Sequence, residues 1–315
     1  MIRQYLGDSV DLFSVIGAGV TVFVAFKVAI SLFRFITTHF LASTLGLPAN
    51  LKNAGSWAVI TGCTDGIGKA YAEQLAAKGL NVVLISRTLS KLEDMAKEVE
   101  SKYKVETKVI AADFSREDIY DGIKLKMNGL DIGVLVNNVG CSYEYPEYFG
   151  EVEEADFSQK MIHMNCTSVA MMTEIVLPAM VAKKRGYVIN IGSSAGFKPA
   201  PLLALYSGTK GYVEMFTRSL YHEYIGRGVT FQYVAPYFVV SKLSKFRRTS
   251  LMVPSPNAFV RNALKTVGVQ AYTTGYWAHD VQRFVHSFMP ASMSMSMMQG
   301  ARKKALKKKA AAKSQ

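Results

Sequence analysis

The fold is decided by residues 57–78, which read WAVITGCTDGIGKAYAEQLAAK. The first five residues are apolar or β-branched and predict a short buried strand. Three glycines follow, Gly62, Gly66 and Gly68, and the remaining residues predict a helix that ends at Gly79. A glycine turn between a strand and a helix lets the backbone approach a pyrophosphate, and the helix N-terminus adds N–H groups and partial positive charge. The spacing differs from G-x-G-x-x-G, so an ordinary strand–helix turn is an alternative interpretation of this segment alone.

The same alternation of strand and helix continues without interruption from about residue 56 to residue 276. It predicts one doubly wound parallel α/β sheet, Rossmann-like, in a single domain with an N-terminal membrane anchor and a basic C-terminal tail. The predicted strands are 57–61, 81–86, 106–112, 132–137, 186–192, 229–235 and 270–276. The predicted division of the chain is an N-terminal flank 1–11, an anchor 12–36, a nucleotide-binding α/β domain 53–280, a candidate membrane-associated segment 281–300 and a basic tail 301–315.

The second predicted strand ends in Ser86 and Arg87. A unit that binds NAD usually has an acidic residue here, which holds the adenosine 2′-hydroxyl. A hydroxyl and a guanidinium instead suit a 2′-phosphate. The pair therefore predicts NADPH rather than NADH. The alternative is that Arg87 is only a solvated charge at the end of a strand.

Tyr206 and Lys210 lie four residues apart in a long predicted helix, so they share one helix face. A phenol with a pKa near 10 transfers protons poorly at neutral pH, and a neighbouring ammonium is expected to lower that pKa. Ser193 follows the predicted strand 186–192, at the edge of the sheet where doubly wound folds bind ligands. Its hydroxyl can bond a carbonyl oxygen as negative charge develops there.

Four motifs follow one another along the chain: TGxxxGxG at residues 61–68, NNxG at 137–140, a serine at Ser193 and YxxxK at 206–210. In this order they resemble the short-chain dehydrogenase/reductase family, and the resemblance covers roughly residues 55–280. The resemblance implies that Tyr206 is the acid. It also implies that Lys210 lowers the tyrosine pKa and holds the nicotinamide ribose. Further implied roles are a carbonyl anchor for Ser193 and a relay-water ligand for Asn165. One departure is Pro236-Tyr237, where the family often has Pro-Gly.

The resemblance also implies a set of residues that bind the cofactor and a smaller set at the substrate. The expected cofactor-binding residues are Gly62, Thr64, Asp65, Gly66, Ile67, Gly68, Ser86, Arg87, Asp113, Asn138, Gly140, Tyr206, Lys210 and Val239. The expected substrate residues are Ser193 and Tyr143, with Tyr145, Phe197 and Leu202 as further candidates for the pocket wall. No metal site is expected, because Cys63, Cys141 and Cys166 are scattered and lack ligand spacing.

Segments between the motifs are similar to one subgroup of the family. They are residues 61–72, 84–87, 137–143, 192–196 and 254–276. The subgroup holds the very-long-chain 3-oxoacyl-CoA reductases of fatty-acid elongation and the 17-beta-hydroxysteroid dehydrogenases of types 12 and 3, with a nematode-like steroid dehydrogenase as close a fit. The resemblance implies NADPH-dependent reduction of a 3-oxoacyl-CoA. The alternatives are a hydroxysteroid dehydrogenase acting on a keto-steroid and a non-catalytic nucleotide-binding scaffold at the membrane.

Residues 12–33 form an apolar run interrupted only by Lys27. About 20 apolar residues span a bilayer, so the run suffices for a transmembrane anchor. The flanking charges are Asp8 and Asp11 before the run, and Arg34 and Lys52 after it. By the positive-inside bias the catalytic domain is expected to face the cytosol, at the endoplasmic reticulum membrane that the subgroup implies. An interfacial hairpin that does not cross the bilayer is the alternative.

The net charge is +13, from 37 basic and 24 acidic residues, and seven basic residues lie in the tail. The tail contains no aromatic residue, so a solvated or membrane-contacting segment is favoured over a nucleic-acid site. The region 278–289 is expected to be either an amphipathic helix on the bilayer or an ordinary packing helix, followed by a mobile Ser/Met run. Expected partners are the membrane and an acyl-CoA or steroid. The resemblance also implies other elongation enzymes as partners, and a second copy paired through residues 156–184 and 205–226.

Overall fold

The structure is a computed structural model that describes the backbone of residues 2–313 and the side chains of residues 12–312. The chain divides into two compact units, the first ending at Leu47 and the second beginning at Pro48. The first unit contains helix α1, Ile2–Ile36, which continues into a π-helical turn, Thr37–Leu41. The apolar stretch Leu12–Leu41 is long enough to cross a membrane, and its most apolar window has no buried residue. Its length and composition are those of a membrane anchor.

A second stretch, Phe157–Ala182, also satisfies the length and composition of a membrane span. It contains two helices, α5 Phe157–Ile162 and α6 Ser168–Ala182, and α6 packs its buried residues against the sheet of the second unit. The buried contacts of Met172, Val176 and Met180 identify it as a core helix.

The second unit is built on a seven-stranded sheet in which all strands are parallel, in the order β3-β2-β1-β4-β5-β6-β7. The strands are β1 Trp57–Thr61, β2 Asn81–Ser86, β3 Thr107–Ala111, β4 Ile132–Asn137, β5 Gly186–Ile191, β6 Val229–Val234 and β7 Tyr272–Thr273. The order reverses between β1 and β4, so this is a doubly wound sheet, as the sequence predicted. The last strand is much shorter than the predicted 270–276, because it lies at the sheet edge and the chain turns at Gly275, with φ +76.

Helices cover both faces of the sheet. They are α2 Gly66–Ala77, α3 Leu89–Tyr103, α4 Tyr120–Met127, α5 Phe157–Ile162, α6 Ser168–Ala182, α7 Ala204–Tyr224 and α8 Pro256–Leu264. Alternate residues of one strand point into opposite layers: Ala58 and Ile60 pack with α2 and α8, whereas Val59 packs with α4 and α6. A strand buried on both faces needs apolar residues at every position, which explains the uninterrupted apolar strand sequences.

Two further helices follow the sheet, α9 Trp277–Ser287 and α10 Ala291–Lys313. The Ser/Met run therefore lies in a helix that continues into the basic tail, so the expectation of a mobile run was wrong. Lys198 Nζ donates to the carbonyl oxygens of His286, Ser287 and Met289, at 3.2, 2.5 and 3.2 Å, and caps the C-terminal end of α9. This cap fixes α9 within the second unit, and the hydrogen bonds from Arg302 to Glu147 and Glu151 fix α10 there.

Candidate active site

The glycine turn after β1 leaves no room for a side chain at Gly68, and its other two glycines, Gly62 and Gly66, have positive φ. Gly62 has φ +64, and a Cβ on Gly68 would lie 2.3 Å from the Gly62 carbonyl oxygen. Asn138 Nδ2 donates to the carbonyl oxygens of Thr61 and Gly62, both at 3.0 Å. Asp65 caps α2 by accepting a hydrogen bond from the Gly66 amide at 2.8 Å. The turn thus holds the helix N-terminus directly at the end of β1.

The end of β2 lies beside this turn. Thr64 Oγ1 and Ser86 Oγ are 3.2 Å apart and share a hydrogen bond. Arg87 is exposed, and no carboxylate lies within ion-pair distance of it among the side chains of residues 12–312. Asp113, after β3, accepts hydrogen bonds from the amide and the hydroxyl of Ser115 at 3.1 and 2.9 Å. Its carboxylate therefore orders the turn that follows β3.

Asn165 lies in a π-helical turn, His163–Thr167, between α5 and α6, and is fully buried. Its Oδ1 accepts from the Cys141 amide at 2.8 Å, and its Nδ2 donates to the Cys141 carbonyl and to Thr209 Oγ1, both at 3.0 Å. A π-helical turn often occurs at functional positions because it changes the direction of a side chain. Here it aims Asn165 at the loop after β4 and at helix α7.

Ser193 follows β5 and begins a short 3₁₀ turn, Ser194–Gly196, with its Oγ accepting from the Ala195 amide at 3.2 Å. Tyr233 fixes this position from β6, because its hydroxyl contacts the Ser193 backbone at 3.3 Å and donates to the Lys210 carbonyl at 3.2 Å. A Cβ on Gly192 would lie 2.1 Å from the Tyr233 ring, so the glycine makes room for this contact. The sequence analysis had not identified Tyr233.

A buried polar chain joins the strand ends to α7. Asn137 Nδ2 donates to Asn190 Oδ1, and Asn190 Nδ2 donates to Thr217 Oγ1, each at 2.9 Å. All three side chains are buried, so each bond forms in a region of low dielectric constant. The sequence analysis quoted Asn137 in a motif but gave it no role. These hydrogen bonds fix the positions of β4, β5 and α7 relative to one another, and these three elements carry the site.

Lys210 is buried on α7, with only 5% of its surface exposed. Its Nζ donates to the Ile191 carbonyl at 3.2 Å and lies 5.7 Å from the centre of the Tyr206 ring. Burial lowers the pKa of Lys210 from 10.5 to about 8, because the ammonium loses its hydration. The ammonium is therefore still the main form at pH 7.

Burial also raises the pKa of Tyr206, while interaction with the Ser193 hydroxyl lowers it by less. The direction differs from the sequence expectation that Lys210 lowers this pKa. The reason is that loss of hydration is the largest effect on the phenolate. A tyrosine with a raised pKa keeps its proton at neutral pH, which suits a group that donates a proton.

Ser193, Tyr206 and Lys210 face one cavity of about 640 Å³. The other predicted cofactor residues that line it are Ile67, Asn138, Gly140 and Val239. The predicted residues outside its wall are Gly62, Thr64, Asp65, Gly66, Gly68, Ser86, Arg87, Asp113, Tyr143 and Asn165. Most of these lie at the ends of β1, β2 and β3, in the glycine turn and beside it, whereas Asn165 lies behind the wall.

Tyr143 does not line the cavity, contrary to its predicted place at the substrate. Its ring packs edge-on against Phe157 with centroids 4.8 Å apart, and its hydroxyl accepts a hydrogen bond from the Leu205 amide at 3.2 Å. Tyr143 is therefore a buried support for the start of α7, one residue before Tyr206. Tyr145, Phe197 and Leu202 also lie outside the cavity wall.

The far wall of the cavity comes from segments that the sequence analysis did not assign to the site. Their lining residues are Lys198, Pro199, Ala200, Leu203, Tyr237, Phe238, Leu243, Met252, Val281, Val285, His286, Met289, Ser294, Met297 and Met298. Tyr237 stands where the family often has the glycine of a Pro-Gly pair. Its hydroxyl lies 3.0 Å from His286 Nδ1. The wall is mainly apolar, so it suits a ligand with a long aliphatic or ring system.

The arrangement can deliver a proton to the oxygen of a carbonyl group. The Ser193 and Tyr206 hydroxyls face the same space, and the lysine ammonium lies behind the tyrosine. No group of three or more His, Cys, Asp or Glu side chains is placed to hold a metal ion among the residues that the structure describes. The chemistry that the Ser193 and Tyr206 hydroxyls and the Lys210 ammonium support is proton transfer with hydrogen bonding to a developing alkoxide.

Comparison with known proteins agrees with this geometry. Residues 56–251 match the family model described as short chain dehydrogenase. The human very-long-chain 3-oxoacyl-CoA reductase is 47% identical over 93% of this chain and 95% of its own length. The enzyme of that name from Anas platyrhynchos is 50% identical over 78% of this chain and 79% of its own.

A solved structure of a 7beta-hydroxysteroid dehydrogenase covers 80% of this chain and all of its own, with a TM-score of 0.71 and 24% identity. A short-chain dehydrogenase from Sphingobium yanoikuyae, solved in complex with NADPH, covers 74% of this chain and 96% of its own, with a TM-score of 0.64 and 24% identity. At this identity the two structures establish the fold alone. With the family model and the curated relatives, the conclusion is that this chain belongs to the short-chain dehydrogenase/reductase family of oxidoreductases.

Proposed function

We propose that this enzyme reduces a 3-oxoacyl-CoA to the 3-hydroxyacyl-CoA, with NADPH as reductant, in very-long-chain fatty-acid elongation. The observation that carries the proposal is the identity of 45–50% to curated relatives named very-long-chain 3-oxoacyl-CoA reductase. The long apolar cavity beside Ser193 and Tyr206 supports it, because it can hold the part of an acyl chain nearest the reacting carbon.

In the proposed mechanism, Ser193 donates a hydrogen bond to the 3-keto oxygen and orients it towards the tyrosine. NADPH, held at the glycine turn and beside Tyr206 and Lys210, would supply the hydride that carbon 3 accepts. Tyr206 gives its proton to the oxygen as negative charge develops, and its raised pKa keeps that proton available at neutral pH. The Lys210 ammonium stabilises the phenolate that remains. Asn165 holds the loop at Cys141 and the Thr209 hydroxyl of α7, so that the tyrosine keeps its position.

The residues present fit NADPH as the cofactor. Gly62, Gly66 and Gly68 form a turn at the N-terminus of α2, where N–H groups can bind a diphosphate. The Ser86 and Thr64 hydroxyls and the unpaired Arg87 can bind the 2′-phosphate, and no acidic residue at the end of β2 opposes it. The proposed remaining contacts are those of Asp65, Ile67, Asp113, Asn138, Gly140, Tyr206, Lys210 and Val239.

The proposed location is the endoplasmic reticulum membrane, with α1 as a transmembrane anchor and the second unit in the cytosol. The charges that flank the apolar run support this orientation. Helix α9 and the residue that follows it add exposed apolar side chains, Phe284 at 66% and Phe288 at 72% exposure, which suit contact with a bilayer. Pairing of two copies through 156–184 and 205–226, and association with other elongation enzymes, are further parts of the proposal.

The test is NADPH oxidation by the detergent-solubilised full chain, measured on a long-chain 3-oxoacyl-CoA and on a 17-keto-steroid. We expect turnover of the CoA ester to exceed that of the steroid by orders of magnitude. Faster steroid turnover would instead identify a hydroxysteroid dehydrogenase.

The same assay tests the role of the tyrosine. Tyr206→Phe should abolish turnover while leaving NADPH binding intact, since it removes only the proton donor. Tyr212→Phe is the matched control, because that ring lies on the same helix outside the cavity and stacks on Phe216 at a centroid distance of 5.7 Å. Full activity of Tyr206→Phe would remove the tyrosine from the mechanism.

A further inference from the structure

Helix α10 borders two cavities in succession. Its first half contributes Ser294, Met297 and Met298 to the wall of the 640 Å³ cavity. The next turns line a second cavity of about 390 Å³, formed by Tyr148, Gln299, Arg302, Lys303, Leu306 and Lys307. The two linings are adjacent in sequence, at Met298 and Gln299. A helix rises 1.5 Å per residue, so Lys307 lies about 15 Å along the axis from Met297.

The second half of α10 is held at this place by an ion-pair cluster. Arg302 Nε donates to Glu147 Oε1 at 2.5 Å, and its Nη2 donates to Glu151 Oε2 at 2.7 Å. The Glu147 side chain is only 9% exposed. Burial acts to raise its pKa, but the bonds from Arg302 and the Tyr148 amide outweigh burial and hold the pKa below its ordinary value. The buried carboxylate thus anchors α10 beside the substrate cavity.

Arg302 pairs with both nearby carboxylates, Glu147 and Glu151. The two lysines of the second cavity therefore have no carboxylate partner among the described side chains. Lys303 and Lys307 make no ion pair with any side chain in residues 12–312. They are four residues apart on one helix face, so both ammonium groups border the same space. Two adjacent unpaired ammonium groups favour an anion with several charged oxygens, such as a phosphorylated nucleotide.

We propose that the second cavity, with Lys303 and Lys307, binds the phosphates of the nucleotide part of the acyl-CoA substrate. The proposal rests on the proposed function, and it names a subsite that the catalytic residues do not touch. The thioester and the first part of the acyl chain then lie in the apolar cavity, and the phosphopantetheine arm follows α10 from one cavity to the next. The helix acts as one wall for both halves of an amphipathic substrate.

The experiment compares two substrates with the same acyl group: the 3-oxoacyl-CoA and the 3-oxoacyl thioester of pantetheine, which lacks the nucleotide and its phosphates. The variant is Lys303→Glu/Lys307→Glu in the full chain, in non-ionic detergent. We expect KM for the CoA ester to rise roughly tenfold or more, because charge-assisted bonds to phosphate are replaced by repulsion. KM and kcat for the pantetheine thioester should stay within about twofold, since that substrate makes no phosphate contact.

The matched control is Lys304→Glu/Lys308→Glu, which makes the same charge change on the same helix but outside the lining of the second cavity. It should change KM for the CoA ester much less. Equal effects of the two double variants would overturn the subsite and indicate a diffuse electrostatic attraction. Equal effects on the two thioesters would also overturn it, since they would mean a structural role of α10.

A lipid phosphate is the competing source of the same chemistry. If Lys303→Glu/Lys307→Glu leaves both KM values unchanged but weakens binding to vesicles that contain phosphatidylserine, the lysines face the membrane and the proposal is wrong. If the double variant does not fold, Lys307→Gln with the same two thioesters answers the question. Failure of the wild-type protein to reduce either thioester would refute the proposed function itself, which is a different outcome from failure of the subsite.

Discussion

Lys210 makes the activity depend on pH in a predictable way. Burial lowers its pKa from 10.5 to about 8, which corresponds to about 3 kcal/mol against the charged form at about 1.4 kcal/mol per unit. With a pKa of about 8, roughly nine-tenths of the lysines are charged at pH 7 and roughly one-tenth at pH 9. If the ammonium stabilises the Tyr206 phenolate, kcat/KM should fall about tenfold between these values. Burial raises the pKa of Tyr206, so deprotonation of the tyrosine should cause no further fall in kcat/KM at pH values below the ordinary pKa of a tyrosine.

The assay is the initial rate of NADPH oxidation from pH 6 to pH 10 at low substrate concentration, since kcat/KM reports the pKa of the free enzyme. Initial rates are needed because a proton is consumed in the reduction and the equilibrium itself moves with pH. Lys210→Arg keeps the charge at all these values, so any residual activity should not fall near pH 8. If kcat/KM of the wild-type enzyme stays constant up to pH 10, the proposed role of the Lys210 ammonium is refuted, whatever the variant shows.

The lowered pKa of Lys210 should also make the free energy of unfolding depend on pH, which can be measured independently of activity. Between pH 8 and pH 10.5 the unfolded chain holds a proton on Lys210 that the folded chain has lost, so stability rises with pH in this window. The unfolding midpoint of Lys210→Met should lack this rise. Parallel pH dependence of the two midpoints would mean that Lys210 is hydrated in the folded protein.

Three other substitutions test the site. Arg87→Asp should reverse the cofactor preference in favour of NADH, measured as the ratio of kcat/KM for the two cofactors; a retained preference for NADPH would contradict the assigned phosphate contact. Gly68→Ala should weaken cofactor binding by at least tenfold in a titration, because its Cβ would lie 2.3 Å from the Gly62 oxygen; unchanged affinity would mean that the turn adapts. Asn165→Ala should lower the unfolding midpoint by roughly 6–12 °C, from about 3 kcal/mol for three lost hydrogen bonds; a change within 2 °C, roughly 1 kcal/mol, would contradict this.

The strands could be predicted because their signal is local. Each is an apolar run bounded by turn residues, and six of the seven match the structure within one residue at either end. The seventh was predicted too long, because a lone apolar run cannot report that it lies at a sheet edge. The motif residues Ser193, Tyr206 and Lys210 were also predicted to meet, since strand ends and one helix face follow from the fold.

The far wall of the cavity could not be predicted, because its contacts join distant parts of the chain. Lys198 caps α9 across about 90 residues, and Arg302 reaches Glu147 across 155. Neither pairing leaves a pattern in the sequence near either partner. Tyr143 was assigned to the substrate from its place after the NNxG motif, but sequence does not tell which way a loop side chain turns. Its hydroxyl reaches the Leu205 amide instead.

The methionines of the far wall have a consequence for the range of substrates and for damage. Met252, Met289, Met297 and Met298 line one side of the cavity. Unbranched thioether side chains change rotamer at small cost, so this side can reshape around acyl groups that differ in length or unsaturation. The same atoms can be oxidised to sulfoxides, which are polar and would make the wall unfavourable for an aliphatic chain. A single surface thus provides tolerance towards substrates and sensitivity to peroxide.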